Sequence, residues 1–229
     1  MKSGFVNIIG KPNAGKSTLL NALVGEKLAI VSSKVQTTRH RIRAFLNGPG
    51  FQIVFSDTPG IIEPEYKLHE KMMHAVKSSM QDSDVCLMIA DLRDDLDKLD
   101  EIFSKIKIHV PCILVLNKCD AVGNQKIQEA KDFFSAKKYC QKAVVISAGK
   151  KLHIEELVNT IVELLPEGDA FCGEDDLTDL PTKFFASELI REKIFDLYDQ
   201  EIPYQTTVLV QRFEEKNTLI KITADIVVH

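Results

Sequence analysis

Residues 10–17 read GKPNAGKS, directly after the apolar run Phe5 to Ile9 and directly before a helical pattern. The spacing GxxxxGK[ST] works only where a buried strand delivers a tight loop to a helix N-terminus. There the glycines let backbone N–H groups curl around phosphate oxygens, and the helix end adds its partial positive charge. The motif therefore predicts a strand, a phosphate-binding loop and a helix in that order. Gly10, Lys11, Pro12, Asn13, Ala14, Gly15, Lys16, Ser17 and Thr18 are the candidates to hold nucleotide phosphates. Lys16 would neutralise the β- and γ-phosphates, and Ser17 would offer a hydroxyl to Mg2+.

Apolar runs recur at Ile42 to Leu46, Gln52 to Phe55, Val85 to Ala90, Pro111 to Leu116 and Ala143 to Ile146, most of them separated by helical patterns. This alternation predicts an α/β fold of the P-loop NTPase kind, with a mostly parallel, doubly wound sheet. The second and third runs are joined only by Asn47-Gly48-Pro49-Gly50, which predicts one antiparallel hairpin. Ile154, Leu157, Val158, Ile161, Val162 and Leu165 form a helical stripe that Pro166 ends. These elements make a nucleotide-binding domain over 1–166. The Pro, Gly and acid of 167–182 read as a linker. Within 183–229, Phe185, Leu189, Ile190, Ile194, Leu197 and Tyr198 mark an amphipathic helix. A strand near 206–213 and the alternation Ile220, Ile222, Ala224, Ile226, Val228 complete a small α+β region.

Three further loops follow strands and supply the remaining chemistry. Asp57 ends a strand, where its carboxylate can hold Mg2+, and Thr58-Pro59-Gly60 presents the Gly60 N–H to a γ-phosphate. Asn117-Lys118-Cys119-Asp120 fits NKxD. Asp120 can accept both the N1–H and N2–H2 donors of guanine, whereas adenine would leave the carboxylate desolvated and unmatched. Lys118 would lie along the base, and Asn117 would tie neighbouring loops together. Ser147-Ala148-Gly149 offers the Ala148 N–H to guanine O6. Between the first two loops, Thr38 is chosen over Thr37 as a hydroxyl that joins Mg2+ only while the γ-phosphate is present. Its basic neighbours Lys34, Arg39, Arg41 and Arg43 face either RNA phosphate or water. Lys16, Thr38 and Gly60 are the catalytic candidates; Ser17, Thr38 and Asp57 are the Mg2+ candidates.

After Gly60 come Ile61 and Ile62, where many GTP-hydrolysing switches carry a glutamine that orients the attacking water. Neither isoleucine can do so. The alternatives are a module that holds guanine nucleotide without useful hydrolysis, and a slow GTPase whose catalytic charge comes from backbone and cations.

The formal net charge of −4 excludes bulk attraction to nucleic acid, so any such contact needs a local patch. Five scattered cysteines favour a reducing compartment over a disulfide framework. No signal sequence or membrane-length apolar run is visible, so the chain is expected to be cytoplasmic. His69 and His74 are five apart, not four as HExxH requires, and read as helix surface. The acidic run Asp94 to Glu101 reads as a solvated helix face, and Met72, Met73 and Met80 as packing residues.

Taken together, GKPNAGKSTLLNALVGEKLAIVS, QTTRHRIRAFL, FSDTPGI, LNKCD, IEELVNTIVELLPEG and FFASELIREKIFDLYDQEIPY resemble the Era family of GTPases. The first five also suit related tandem-domain or tRNA-modifying GTPases, and REKIF…EIPY is the specific part. The resemblance implies a Ras-like GTP-binding domain followed by a KH domain. It also implies GTP or GDP with Mg2+, binding of 16S ribosomal RNA and the 30S subunit during ribosome assembly, and peripheral inner-membrane association. Asn13 is, by the same resemblance, the residue associated with a K+ ion. The protein is expected to act as a monomer. A KH domain clamps RNA backbone with a GxxG loop, yet no glycine follows Gly173. The chain also stops inside an apolar alternation, so it is expected to be a fragment with weakened RNA affinity.

Overall fold

Five of the six apolar runs lie parallel, and one lies antiparallel because only a tight turn separates it from the next strand in the chain. β1 (Lys2–Gly10), β3 (Phe51–Asp57), β4 (Val85–Asp91), β5 (Cys112–Asn117) and β6 (Lys142–Val145) are parallel, while β2 (Ile42–Gly48) runs antiparallel to β3. The sheet order is β2-β3-β1-β4-β5-β6. At the β2–β3 turn Gly48 pairs with Phe51, leaving Pro49 and Gly50 as the loop. Gly50 has φ 77°, which suits a proline-glycine turn. The computed structural model describes residues 1–32, 34, 37–60 and 82–228. Val35, Gln36, Ile61, Ile62, the stretch His69 to His74, and Met80 lie outside the described residues.

Helices cover both faces. α1 (Lys16–Val24) and α4 (Ile154–Leu164) cover one; α2 (Leu96–Ser104) and α3 (Asn124–Ser135) cover the other. Alternation along β1 sends Val6 and Ile8 into the first layer with Leu19, Leu20, Leu157 and Ile161, and Ile9 into the second with Met88, Leu114, Phe103 and Phe134. All of these are fully buried. In α2 the acidic run faces outward while Leu96, Leu99 and Phe103 face the core, and Asp95 caps the helix by accepting from the Lys98 N–H.

The segment after Pro166 follows the sheet edge closely. Phe45 N–H donates to Leu177 O at 2.9 Å, Thr178 Oγ1 to Arg43 O at 2.7 Å, and Gln52 Nε2 to Cys172 O at 3.0 Å. Phe171 meets the Phe5 ring at 4.7 Å. These bonds occupy the outer side of β2 that would otherwise be an open edge.

Beyond this segment lie α5 (Thr182–Leu197), the short α6 (Ile202–Gln205), and an antiparallel hairpin of β7 (Thr206–Lys216) and β8 (Leu219–Val228). Here the apolar-stripe expectation needs correction. Leu189, Leu197 and Tyr198 are exposed, and the buried side of α5 carries Glu188, Arg191 and Glu192 beside Ala186, Ile194 and Phe195. The helix buries its polar side because its neighbour is a loop rich in backbone polar groups and lysine. Lys27 Nζ meets Glu192 at 2.6 Å, the Val31 N–H donates to the same carboxylate, and Arg191 donates to Thr37 O. The hairpin face expected from alternation, Ile220, Ile222, Ile226 and Val228, is likewise exposed.

Candidate nucleotide-binding site

The loops after β1, β3, β4 and β5 meet at the carboxyl ends of the strands, where open α/β sheets place their ligands. A cavity of about 350 Å3 lies there, lined among others by Pro12, Asn13, Lys16, Ser17, Thr38 and Gly60. Thr18 lines it as well. Gly15 has φ 102°, and a Cβ there would fall 2.3 Å from Asn117 Nδ2, so both conformation and space demand glycine. A Cβ on Gly60 would come within 2.8 Å of Pro12 N, which shows how closely the Asp57–Gly60 loop approaches the phosphate loop.

Lys16 is buried, and its ammonium donates to Gly10 O at 3.2 Å and Lys11 O at 2.7 Å. Burial pulls its pKa down to about 8, against the opposing pull of Asp57. Lys11 points elsewhere: its ammonium pairs with Asp94 at 2.9 Å, so it anchors the loop from outside. Ser17 Oγ lies 2.8 Å from Asp57 Oδ2 and 2.9 Å from Thr38 Oγ1. Asp57 Oδ1 is buried with no hydrogen-bond partner, and burial raises the pKa of this carboxyl. Three hard oxygen donors with one oxygen left over form a set suited to a small divalent cation. Thr58 contributes differently, since its hydroxyl donates to Ile8 O at 2.9 Å and pins the loop to β1, with Pro59 buried beside it.

Asn117 joins three loops. Its amide donates to Ala14 O at 2.8 Å, and its Oδ1 accepts the Ala148 N–H at 3.0 Å. That second bond alters the role expected for Ala148, because the N–H assigned to guanine O6 is engaged by Asn117. Ser147 pairs with Leu152 across the loop, and Gly149 is open to solvent. Lys118, at φ 66°, stretches along the cavity wall and donates to Asn13 O at 2.7 Å. Asp120 is exposed and lines a second cavity of about 370 Å3 with Cys119, Leu152 and His153.

The basic residues near Thr38 are each engaged within the molecule, Lys34 and Arg39 by main-chain carbonyls, although Arg43 also stays 41% exposed to water. Arg39 donates to Thr206 O, Pro203 O and Tyr204 O at 2.8, 3.0 and 2.7 Å. Lys34 donates to Phe195 O at 2.7 Å and to Tyr198 O, satisfying carbonyls at the end of α5. Arg41 bonds Ser56 Oγ at 2.6 Å, and Arg43 pairs with Asp179 at 3.3 Å. Carbonyls freed at helix ends and turns attract cations, and only the three-dimensional neighbourhood reveals them. Sequence reasoning also missed Asp91 and Arg93. The available signal was position, since both lie at or just beyond the carboxyl end of β4.

Comparison with known proteins places this geometry in a family. A family model described as 50S ribosome-binding GTPase matches residues 5–118. The GTPase Era of a Geobacter species is 42% identical over 98% of this chain and 77% of its own length. That of Thermosipho melanesiensis is 40% identical over 100% of this chain and 78% of its own. A crystal structure of Era in complex with MgGDPNP and nucleotides 1506–1542 of 16S ribosomal RNA superposes with a TM-score of 0.93 at 37% identity, covering 100% of this chain and 79% of that one. A phosphate loop closed by Asn117, a buried Lys16 and an oxygen cluster at Ser17 are thus features of a GTPase, and the chain belongs to the Era family.

Proposed function

We propose that this GTPase is a molecular switch whose nucleotide state controls binding of small-subunit ribosomal RNA during 30S assembly. The observation that carries the reading is a single loop with two attachments. Thr38 Oγ1 reaches Ser17 and Asp57, while its neighbours Thr37 and Arg39 bond the C-terminal region. A change at the phosphate end therefore has a direct covalent and hydrogen-bonded route to groups at the other end. The Era relative solved with a 16S ribosomal RNA fragment supports the choice of RNA. In this reading 1–166 is the GTP-binding domain, 167–182 the connector, and 183–229 a KH-like RNA-binding region. The protein works as a monomer in the cytoplasm, with peripheral contact to the inner membrane.

Ser17, Thr38 and Asp57 would hold Mg2+, which would supply positive charge to neutralise the β- and γ-phosphates. The chain's own contribution is positional: Lys16 meets those phosphates, the Gly60 N–H faces the γ-phosphate, and Asp120 selects guanine. Asp120→Ala is expected to lower GTP affinity and erase the preference over ATP, a loss of about 10^2-fold or more in selectivity. Competition of GTP and ATP against a fluorescent GDP measures it, and retained preference would remove Asp120 from the reading.

Asn13, in the left-handed conformation at φ 60°, lines the same cavity and is the K+ candidate. Hydrolysis is expected to run faster in K+ than in Na+, with Asn13→Ala removing the difference, because a monovalent cation there would stabilise developing phosphate charge. The function as a whole is tested by GTP turnover with and without small ribosomal subunits in each salt. Equal turnover with and without subunits would refute control through RNA while leaving the GTPase intact.

A further inference from the structure

Asp91 is nearly buried, with its side chain 7% exposed, and it spans two cations that both line the nucleotide cavity. Lys118 Nζ lies 2.7 Å from Asp91 Oδ2 and also donates to Asn13 O. Arg93 approaches from the other side: Nε meets Oδ1 at 3.0 Å and Nη2 meets Oδ2 at 2.7 Å, while its backbone N–H adds a third bond to Oδ1 at 3.0 Å. Both cations hold the Asp91 carboxyl at about pKa 2 despite its burial, so it stays ionised. A surface arginine ordinarily spends considerable side-chain entropy to reach any ligand. Here a fixed fork-to-carboxylate pair has already spent it, and the pair leaves the Nη1 donors of Arg93 unused by Asp91.

We propose that Arg93 is a nucleotide-contacting residue that binds the polyphosphate, and that Asp91 is the positioning residue that aims Arg93 and Lys118 at the same ligand. This deepens the guanine-nucleotide reading and rests on it. The cavity lined by Pro12, Asn13, Lys118 and Arg93 then carries two cations in addition to the Ser17 and Thr38 hydroxyls. An anionic chain in that cavity meets both positive charges as well as the hydroxyl donors.

The test is equilibrium competition of GDP and of guanosine against a fluorescent GDP, with wild type, Arg93→Ala, Arg93→Lys and Asp91→Asn. Arg93→Ala is expected to weaken GDP about tenfold, the size of one charged hydrogen bond, and to leave guanosine within twofold. Arg93→Lys should recover part of the loss, since it keeps the charge without the fork. Asp91→Asn should weaken both ligands, because Lys118 lies along the base as well. An Arg93→Ala protein that binds GDP within twofold of wild type overturns the proposal, as does one that loses GDP and guanosine in equal proportion, the mark of a purely structural pair. If wild type itself fails to bind GDP, the guanine-nucleotide reading falls first, which separates the two failures.

Discussion

Lys16→Ala is expected to reduce kcat/KM for GTP by about 10^2- to 10^3-fold, the scale of losing one preorganised charge from a transition state. The ammonium is held by the carbonyls of Gly10 and Lys11 inside a buried pocket, so it needs no reorganisation when phosphate charge develops. The same burial predicts an unusual companion result. The folded-state pKa of Lys16, about 8, lies below its ordinary 10.5, so folding disfavours the charged form. Its contribution to stability therefore improves as pH rises from about 8 toward 10.5, where the folded protein has already shed the proton that the unfolded chain still binds. Alanine carries no such penalty. The nucleotide-free variant should melt no lower than wild type at pH 7 while losing nearly all activity. A lower melting temperature with proportionate loss of activity would mean that Lys16 serves the fold, and the assignment of its charge to catalysis would fail.

What the sequence made legible was chiefly what local chemistry dictates. The glycine-rich loop, the strand ends that carry Asp57 and Asn117, and the Pro49-Gly50 turn each fix a backbone requirement within a few residues. Periodicity located α4 to within a residue at each end, because Leu157 and Ile161 pack into the first core layer with Ile154, Val158 and Val162 against it. It misjudged α5 for the complementary reason. Leu189 and Leu197 have helical spacing, but burial depends on which surface is adjacent. That surface presents the Lys27 ammonium, the Val31 N–H and the Thr37 carbonyl, which draw in Glu192 and Arg191, with Glu188 paired to Arg191. Lys34 and Arg39 were illegible for the same cause, as their partners are main-chain oxygens some 160 residues away. Ala148 shows a third limit. Its N–H could be placed in the correct loop from the sequence, but the competing acceptor on Asn117 is a matter of side-chain geometry.

Arg191→Ala is expected to cost about 3–5 kcal/mol of folding stability, the cost of leaving a buried charge without its partner. Arg191 and Glu188 have side chains 4% and 11% exposed and are joined by two bonds of 2.7 and 2.8 Å. The guanidinium also donates to Thr37 O and lies over the Phe195 ring at 5.4 Å. Removing it strands the Glu188 carboxylate and the Thr37 carbonyl together. Denaturant unfolding should show the loss in the transition midpoint. The double variant Arg191→Met with Glu188→Gln separates charge burial from switching. With no ion left to desolvate, most of the stability should return, since buried pairs are commonly replaceable by neutral groups. The Thr37 bond does not return, so the residue next to Thr38 loses its direct bond to α5, while Lys34 and Val31 keep theirs. The double variant should therefore fold near wild-type stability while nucleotide exchange responds more weakly to changes in the C-terminal region. A double variant whose exchange still tracks Arg39→Ala as wild type does would show that the coupling runs through the other bonds, those of Arg39, Lys34 and Val31, and that the Arg191 pair serves only stability.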